Sequence, residues 1–201
     1  TNSVQTVEYT VTPISGADGL CEGAPFTLIV QVDPKPSLDD VVLPAICSGE
    51  TFNHLPVEAG GINGTDSIPV NTTYTWTVVD ANGLVTGDSN ETIGQTSISQ
   101  TLTNGSNVPQ TLVYTVTPTS GEQGNCVGAE FTLTIVVNPT PVIPTLTAEI
   151  CSEETFVVIP VNNPPTAIVP ANTTYTWTVV DNTNVTGDTN ETTPQISISQ
   201  T

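Results

Sequence analysis

Few side chains in this 201-residue sequence can do acid–base or covalent chemistry. His54 is the only imidazole, so any Ser–His–Asp or Cys–His relay would have to run through it. Lys35 is the only fixed cation among 20 acidic residues and no Arg, so no oxyanion or phosphate clamp can be assembled. A formal charge of −19 also excludes binding to nucleic acid or anionic membranes through charge. No catalytic residue is therefore expected. The chain reads as a non-enzyme.

Two acidic loops could in principle hold a hard cation. Asp80, Asp88 and Glu91 cluster with Asn82 and Asn90, and Asp181, Asp188 and Glu191 repeat much of the set with Asn190. Grouped carboxylate and amide oxygens can bind Ca²⁺, but the spacing matches no EF-hand. Asp, Asn and Gly are also the ordinary residues of β-turns. Solvated turns are the preferred reading, no cofactor is expected, and calcium is the one ion worth testing.

The four cysteines suggest an oxidising, extracytoplasmic setting. Cys47 and Cys126 fall within one repeat period, and a bond between them would close a loop of about 80 residues and add roughly 2–4 kcal/mol. Cys21 and Cys151 would then pair with neighbouring repeats. The alternative, Cys21–Cys47 with Cys126–Cys151, would staple adjacent domains across a Pro-containing linker. A sandwich topology sets the start of the second strand and the last hairpin at opposite ends, so the favoured Cys47–Cys126 bond requires the loop 118–130 to fold back. Asn-x-Ser/Thr sequons at Asn63, Asn71, Asn90, Asn104, Asn172, Asn184 and Asn190 report surface loops in a Thr-rich chain more than they report glycans.

The elements that carry these residues follow from a repeat. Tyr9-Thr10-Val11-Thr12-Pro13 recurs as Tyr114-Thr115-Val116-Thr117-Pro118, and Cys21 recurs as Cys126 at the same offset of 105. The run Asn71–Asp80 returns unchanged as Asn172–Asp181, and Ile46-Cys47-Ser48 returns as Ile150-Cys151-Ser152. A period of about 100 residues is the size of a globular domain, not of a solenoid unit. Pro34-Lys35-Pro36 and Pro139-Thr140-Pro141 occupy equivalent places and make natural semi-rigid linkers. Cutting there gives residues 1–33 as the end of one domain, 34–138 as a complete domain, and 139–201 as the start of a third. A chain without Met that opens Thr1-Asn2-Ser3 is expected to be an internal or processed piece of a longer array.

Within the period, apolar residues alternate with Thr. Phe131, Leu133, Ile135 and Val137 mark a half-buried last strand, as do Phe26, Leu28, Val30 and Val32 in the other copy. Tyr74, Trp76 and Val78 line a second strand, and Leu112, Tyr114 and Val116 a third. With further runs near 38–45, 51–57 and 96–102, this predicts about seven short strands per unit. The expected fold is all-β, a tandem array of immunoglobulin-like sandwiches with Trp76 and Trp177 buried. The equivalent of His54 is Val158, which makes that position structural. No apolar run reaches the roughly 18–20 residues of a membrane span, so no membrane insertion is expected.

Ile46-Cys47-Ser48-Gly49, the run Tyr74–Val79, Ser99–Asn104, Tyr114–Pro118 and the stretch from Cys126 to Pro139 together resemble the PKD-like, immunoglobulin-like repeats of giant surface adhesins of gliding Bacteroidota. The resemblance covers essentially the whole chain. It implies export by the type IX secretion system, an extracellular cell-surface filament, and a role in adhesion or gliding motility. The expected function is that of a structural stalk repeat whose partners are neighbouring repeats of the same chain, with a surface or polysaccharide engaged elsewhere in the parent. Uniform negative charge would discourage lateral aggregation of its strands. The alternative is a glycan- or protein-binding module, which exposed aromatic residues on one face would signal.

Overall fold

Thr-rich alternation gives strands throughout the chain, and the described residues contain no α-helix. The computed structural model describes all residues except Thr1, Ala17, 59–65, Ala81 and Asp181. The sequon at Asn63 and the candidate ligand Asp181 therefore lie outside the described residues. The first segment holds β1 (Gln5–Val11) and β2 (Phe26–Val32). The middle segment holds β3 (Val41–Val42), β4 (Ile46–Cys47), β5 (Thr51–His54), β6 (Thr73–Asp80), β7 (Val85–Thr86), β8 (Glu91–Gln95), β9 (Ile98–Thr101), β10 (Thr103–Asn104), β11 (Gln110–Thr119) and β12 (Phe131–Asn138). The last segment holds β13 (Phe156–Val158), β14 (Tyr175–Trp177), β15 (Glu191–Gln195) and β16 (Ile198–Gln200).

The middle segment folds into a two-layer sandwich. One sheet runs β3-β12-β11-β6-β8, with β4 also pairing β12; the opposing layer is formed by the pairs β5-β9 and β7-β10. Period-2 alternation sends Tyr74, Trp76, Leu112, Tyr114, Val116, Phe131, Leu133, Ile135 and Val137 inward from the first sheet, against Phe52, Val85, Ile98 and Leu102 from the other layer. Phe52 and Tyr114 meet edge to face, ring centroids 5.5 Å apart. The Tyr114 hydroxyl donates to Gln100 Oε1 at 2.7 Å, so the aromatic core also carries a polar tie between the layers.

β3 and β4 run parallel to β12 and cover its outer edge, placing Val41 opposite Leu133 and Cys47 opposite Asn138. The β6–β8 register shifts between Tyr74 and Trp76, and the same shift recurs in β14–β15 between Tyr175 and Trp177. Gly87 has φ near 90°, where a Cβ would stand 2.1 Å from the Thr101 carbonyl oxygen; Gly187 reproduces this against Thr201.

The flanking segments depart from the expected burial. β1 and β2 pair over their full length, yet Val7, Tyr9, Phe26, Leu28, Val30 and Val32 are all exposed, while their repeat equivalents in β11 and β12 are buried. Among the described residues no second sheet packs on this hairpin. Trp177, expected to be buried, is likewise half-exposed, whereas Trp76 is 5% exposed. Phe156, Val158, Ile198, Ile150 and Leu146 line an open apolar cleft of 320 Å³, and Phe156, Ile198 and Ile150 are the equivalents of Phe52, Ile98 and Ile46, which pack in or against the middle core.

Candidate functional site

The acidic loops are built as turns. One Asp80 carboxylate oxygen accepts the Asn82 N–H at 3.2 Å and the other accepts the Val85 N–H at 2.9 Å, which closes the loop between β6 and β7. Glu91 Oε1 accepts the Ile93 N–H at 2.9 Å, and Glu191 Oε1 accepts the Thr193 N–H at 2.8 Å. Asn90 accepts the Val78 N–H of β6 at 2.9 Å, and Asn190 accepts the Val179 N–H, just beyond β14, at 2.7 Å. Asp88 and Asp188 are half-buried, and Asp88 adds its charge to the burial that raises the pKa of Tyr114. Among the described residues no group of three or more His, Cys, Asp or Glu is placed to hold a metal ion.

His54 sits on β5 opposite Ile98, as Val158 sits on β13 opposite Ile198. Burial lowers its pKa from the ordinary 6.5, with Asp66 pulling weakly the other way. The phenol of Tyr74 is pushed up to about 12, mainly by burial and secondarily by the Asp66 charge. Burial favours the neutral form of each group, and both lie within reach of the Asp66 charge.

The intradomain disulfide Cys47–Cys126 is corrected by the topology. All four cysteines are free thiols. Cys47 is opposite Asn138, the last residue of β12, whereas Cys126 lies in the loop before Phe131, its first residue. The eight-residue strand between them spans about 23 Å, against the roughly 4.4–6.8 Å between Cα atoms that a disulfide allows. The two thiols therefore occupy opposite poles of the sandwich. The Cys21–Cys47 and Cys126–Cys151 alternative fails within this chain for a related reason: Cys21 precedes β2 as Cys126 precedes β12, at the pole of its own unit away from the linker 34–36, while Cys47 lies at the distant pole of the next.

Sequence reasoning missed a buried polar cluster and a junction. Asn104, one of the sequon residues, is 2% exposed. Its Nδ2 donates to the carbonyls of Val108 (2.8 Å) and Val137 (2.9 Å), and its Oδ1 accepts from the Ser106 N–H (2.9 Å) and hydroxyl (2.8 Å). This ties β10 in one layer to β12 in the other. Asn71 and Asn172, also in sequons, adopt φ of 58° and 61° in matching left-handed turns. At the junction, Asp33 Oδ2 accepts the Gly124 N–H at 2.6 Å, and Cys126 Sγ lies 3.9 Å from the Asp33 carbonyl. A Cβ on Gly128 would come within 2.5 Å of the Pro36 carbonyl oxygen, so only Gly admits this approach. The recurrence of Gly23 as Gly128 was the available signal.

An all-β sandwich with a dense apolar core, whose polar side chains are engaged in turns and ties between layers, defines an immunoglobulin-like repeat module. The family model of the PKD-like domain matches residues 1–36 and 44–141, more than half of the chain, and the chain belongs to that family. None of the curated proteins matches it. PKD-like domains are generally non-catalytic and are typically found in extracellular or surface proteins.

Proposed function

We propose that the chain is a structural repeat of an extended extracellular filament or stalk, of the kind that gliding-motility adhesins exported by the type IX secretion system display on the cell surface. The observation that supports this most directly is the clamped junction. The linker is held by the next repeat through Asp33–Gly124 and the Pro36–Gly128 approach, so successive units abut end to end instead of hanging on a free tether. Two further ties, from the Asn2 amide to Glu58 and from Ser67 to Asn2, join the same two units.

In this reading residues 34–138 are one complete domain, 1–33 close a preceding one and 139–201 open a following one. Every residue of the buried core cluster falls between Phe52 and Val137, and the apolar face of β1–β2 and the cleft of the last segment are complementary halves of the same sandwich. The module has no catalytic activity and no cofactor, and its partners are neighbouring repeats. Contact with a surface or polysaccharide falls to other parts of the adhesin. Within 34–138 the aromatic residues give no support to a glycan-binding face, since Phe52, Tyr74, Trp76, Tyr114 and Phe131 are all buried, and the exposed Tyr9 and Phe26 of β1–β2 are the repeat equivalents of the buried Tyr114 and Phe131.

Small-angle scattering on arrays with increasing numbers of repeats tests the reading. A stalk requires the maximum dimension to grow linearly, by at least the ~33 Å length of ten-residue β11 per repeat. A radius of gyration that grows as that of a flexible string of beads would refute it. Deleting internal repeats in the parent should shorten the surface filament while leaving export intact.

A further inference from the structure

The opposite-pole placement of Cys47 and Cys126 has a second consequence at the junction. The offset of 105 that carries Cys21 to Cys126 and Phe26 to Phe131 carries Asp33 to Asn138. In the complete repeat, Cys47 stands opposite Asn138 in the parallel β4–β12 ladder, and the Ser48 N–H donates to the Asn138 carbonyl at 2.8 Å. In the repeat that ends at Asp33, the residue equivalent to Cys47 therefore belongs opposite Asp33, about 5 Å away by the spacing of neighbouring strands. Asp33 is also where the next repeat delivers its other cysteine: Cys126 Sγ lies 3.9 Å from the Asp33 carbonyl, held there by the Gly124–Asp33 bond. Two cysteines from successive repeats thus converge on one residue.

We propose that each junction is closed by a disulfide between the Cys47-type cysteine of one repeat and the Cys126-type cysteine of the next. The assignment rests on the repeat-array reading above. It also accounts for four free thiols in one chain. Cys47 and Cys151 face following repeats, Cys21 and Cys126 face preceding ones, and none of the four required partners falls among these residues. Forming each bond removes two protons and two electrons from two thiols. The electrons pass to a disulfide oxidant, either a small-molecule disulfide or a dithiol oxidase, which is reduced to its two thiols. The bond lies beside the Pro linker, so each junction is held by two covalent connections and bending about the linker is restrained.

The test uses two copies of the full chain joined head to tail through one Leu, as Leu102 joins Thr101 to Thr103. Thr201 and Thr1 are the equivalents of those two threonines, so the join completes a repeat from 139–201 and the following 1–33. After refolding in a glutathione redox buffer, chymotryptic and Asp-N peptides are mapped without reduction, chymotrypsin separating Cys126 from Cys151 at Phe131 and Leu146, and Cys→Ser changes made in one copy at a time tell the two copies apart. The expected bonds are Cys47 of the first copy with Cys21 of the second, and Cys151 of the first with Cys126 of the second. Four of the eight cysteines, twice the 4 in one chain, should remain reactive thiols. Cys47→Ser in the first copy should release one further thiol, at Cys21, while the same change in the second copy should release none.

Calorimetry on the same tandem separates the two ways of failing. If the completed repeat unfolds cooperatively but all eight thiols are free, or Cys47 pairs with Cys126 of its own copy, the disulfide is refuted and the array reading stands. If the completed repeat does not fold, the array reading falls, and the disulfide with it.

Discussion

Replacing Asn104 with Ala removes four hydrogen bonds from a site that is 2% exposed, and the cost can be worked from the partners left behind. The Val108 carbonyl retains the Ser106 hydroxyl at 2.9 Å, so it is not orphaned. The Val137 carbonyl keeps its place opposite Gln110 in the β11–β12 ladder, whereas the buried Ser106 N–H loses the bond it makes to Asn104 Oδ1 at 2.9 Å. A buried polar group left without its partner costs about 1–3 kcal/mol, and the lost bonds to the Val137 carbonyl and the Ser106 hydroxyl forfeit about 0.5–1.5 kcal/mol each, so roughly 2–6 kcal/mol is at stake, with about 3 as the expected total. Against a typical domain stability of about 5–15 kcal/mol this is a large fraction. The melting temperature of 34–138 within the chain should fall by roughly 12–24 °C, at about 4–8 °C per kcal/mol for a domain of this size.

Urea unfolding followed by tryptophan fluorescence measures the loss, with an unchanged m-value establishing that the same surface is exposed. Asn104→Asp is the informative companion. It keeps an acceptor for Ser106 but turns lone pairs toward the Val108 and Val137 carbonyls, so it should destabilise at least as much as Ala. A loss below about 1 kcal/mol for Ala, or a tolerated Asp, would refute the inter-layer tie. The same burial requires Asn104 to stay unmodified in a glycosylating host despite its sequon, which intact-mass analysis would check.

Other expectations are simpler to state. Chelation at constant ionic strength should shift melting by less than about 2 °C, because the Asp80 and Glu91 carboxylates are engaged by backbone N–H groups; a large, saturable, calcium-specific shift would restore the metal reading. Burial depresses the His54 pKa below 6.5, so the unfolded chain binds the proton first: stability present above about pH 6.5 is lost as pH falls through the folded value. The difference in stability between the native chain and His54→Val should therefore shift in favour of Val from pH 7.5 to 5.5, and a pH-independent difference would show the imidazole to be fully solvated. Residues 34–138 alone should unfold cooperatively, whereas 139–201 alone should show no cooperative transition, since among its described residues the only buried hydrophobics are Ala167 and Ile168, which lie outside the core cluster.

Much of the architecture was legible in the residue pattern because β-structure writes itself with period 2. The alternation of Tyr74, Trp76 and Val78, and of Phe131 through Val137, specifies which face is apolar without reference to any partner strand. The all-β sandwich and the repeat period of about 100 residues follow from that local pattern, whereas the expected seven or so strands per unit are ten in the middle segment, β3–β12, because two-residue strands such as β7 and β10 are too short to alternate. Likewise, the equivalence of His54 with Val158 disposes of a recurring catalytic histidine on the sequence alone.

What tertiary structure decided is everything that depends on which pole of the sandwich a loop reaches. Cys47 and Cys126 share a period, and counting made them a pair, but sequence separation carries no direction; the parallel β4–β12 ladder sets one thiol at each end. Asn104 reads as a surface sequon because Asn is ordinarily a turn residue, and only the packing of β10 against β12 gives its amide two carbonyls to hold. Burial of β1–β2 and Trp177 could not be read from alternation either, since an apolar face is buried only when a second layer is present to cover it.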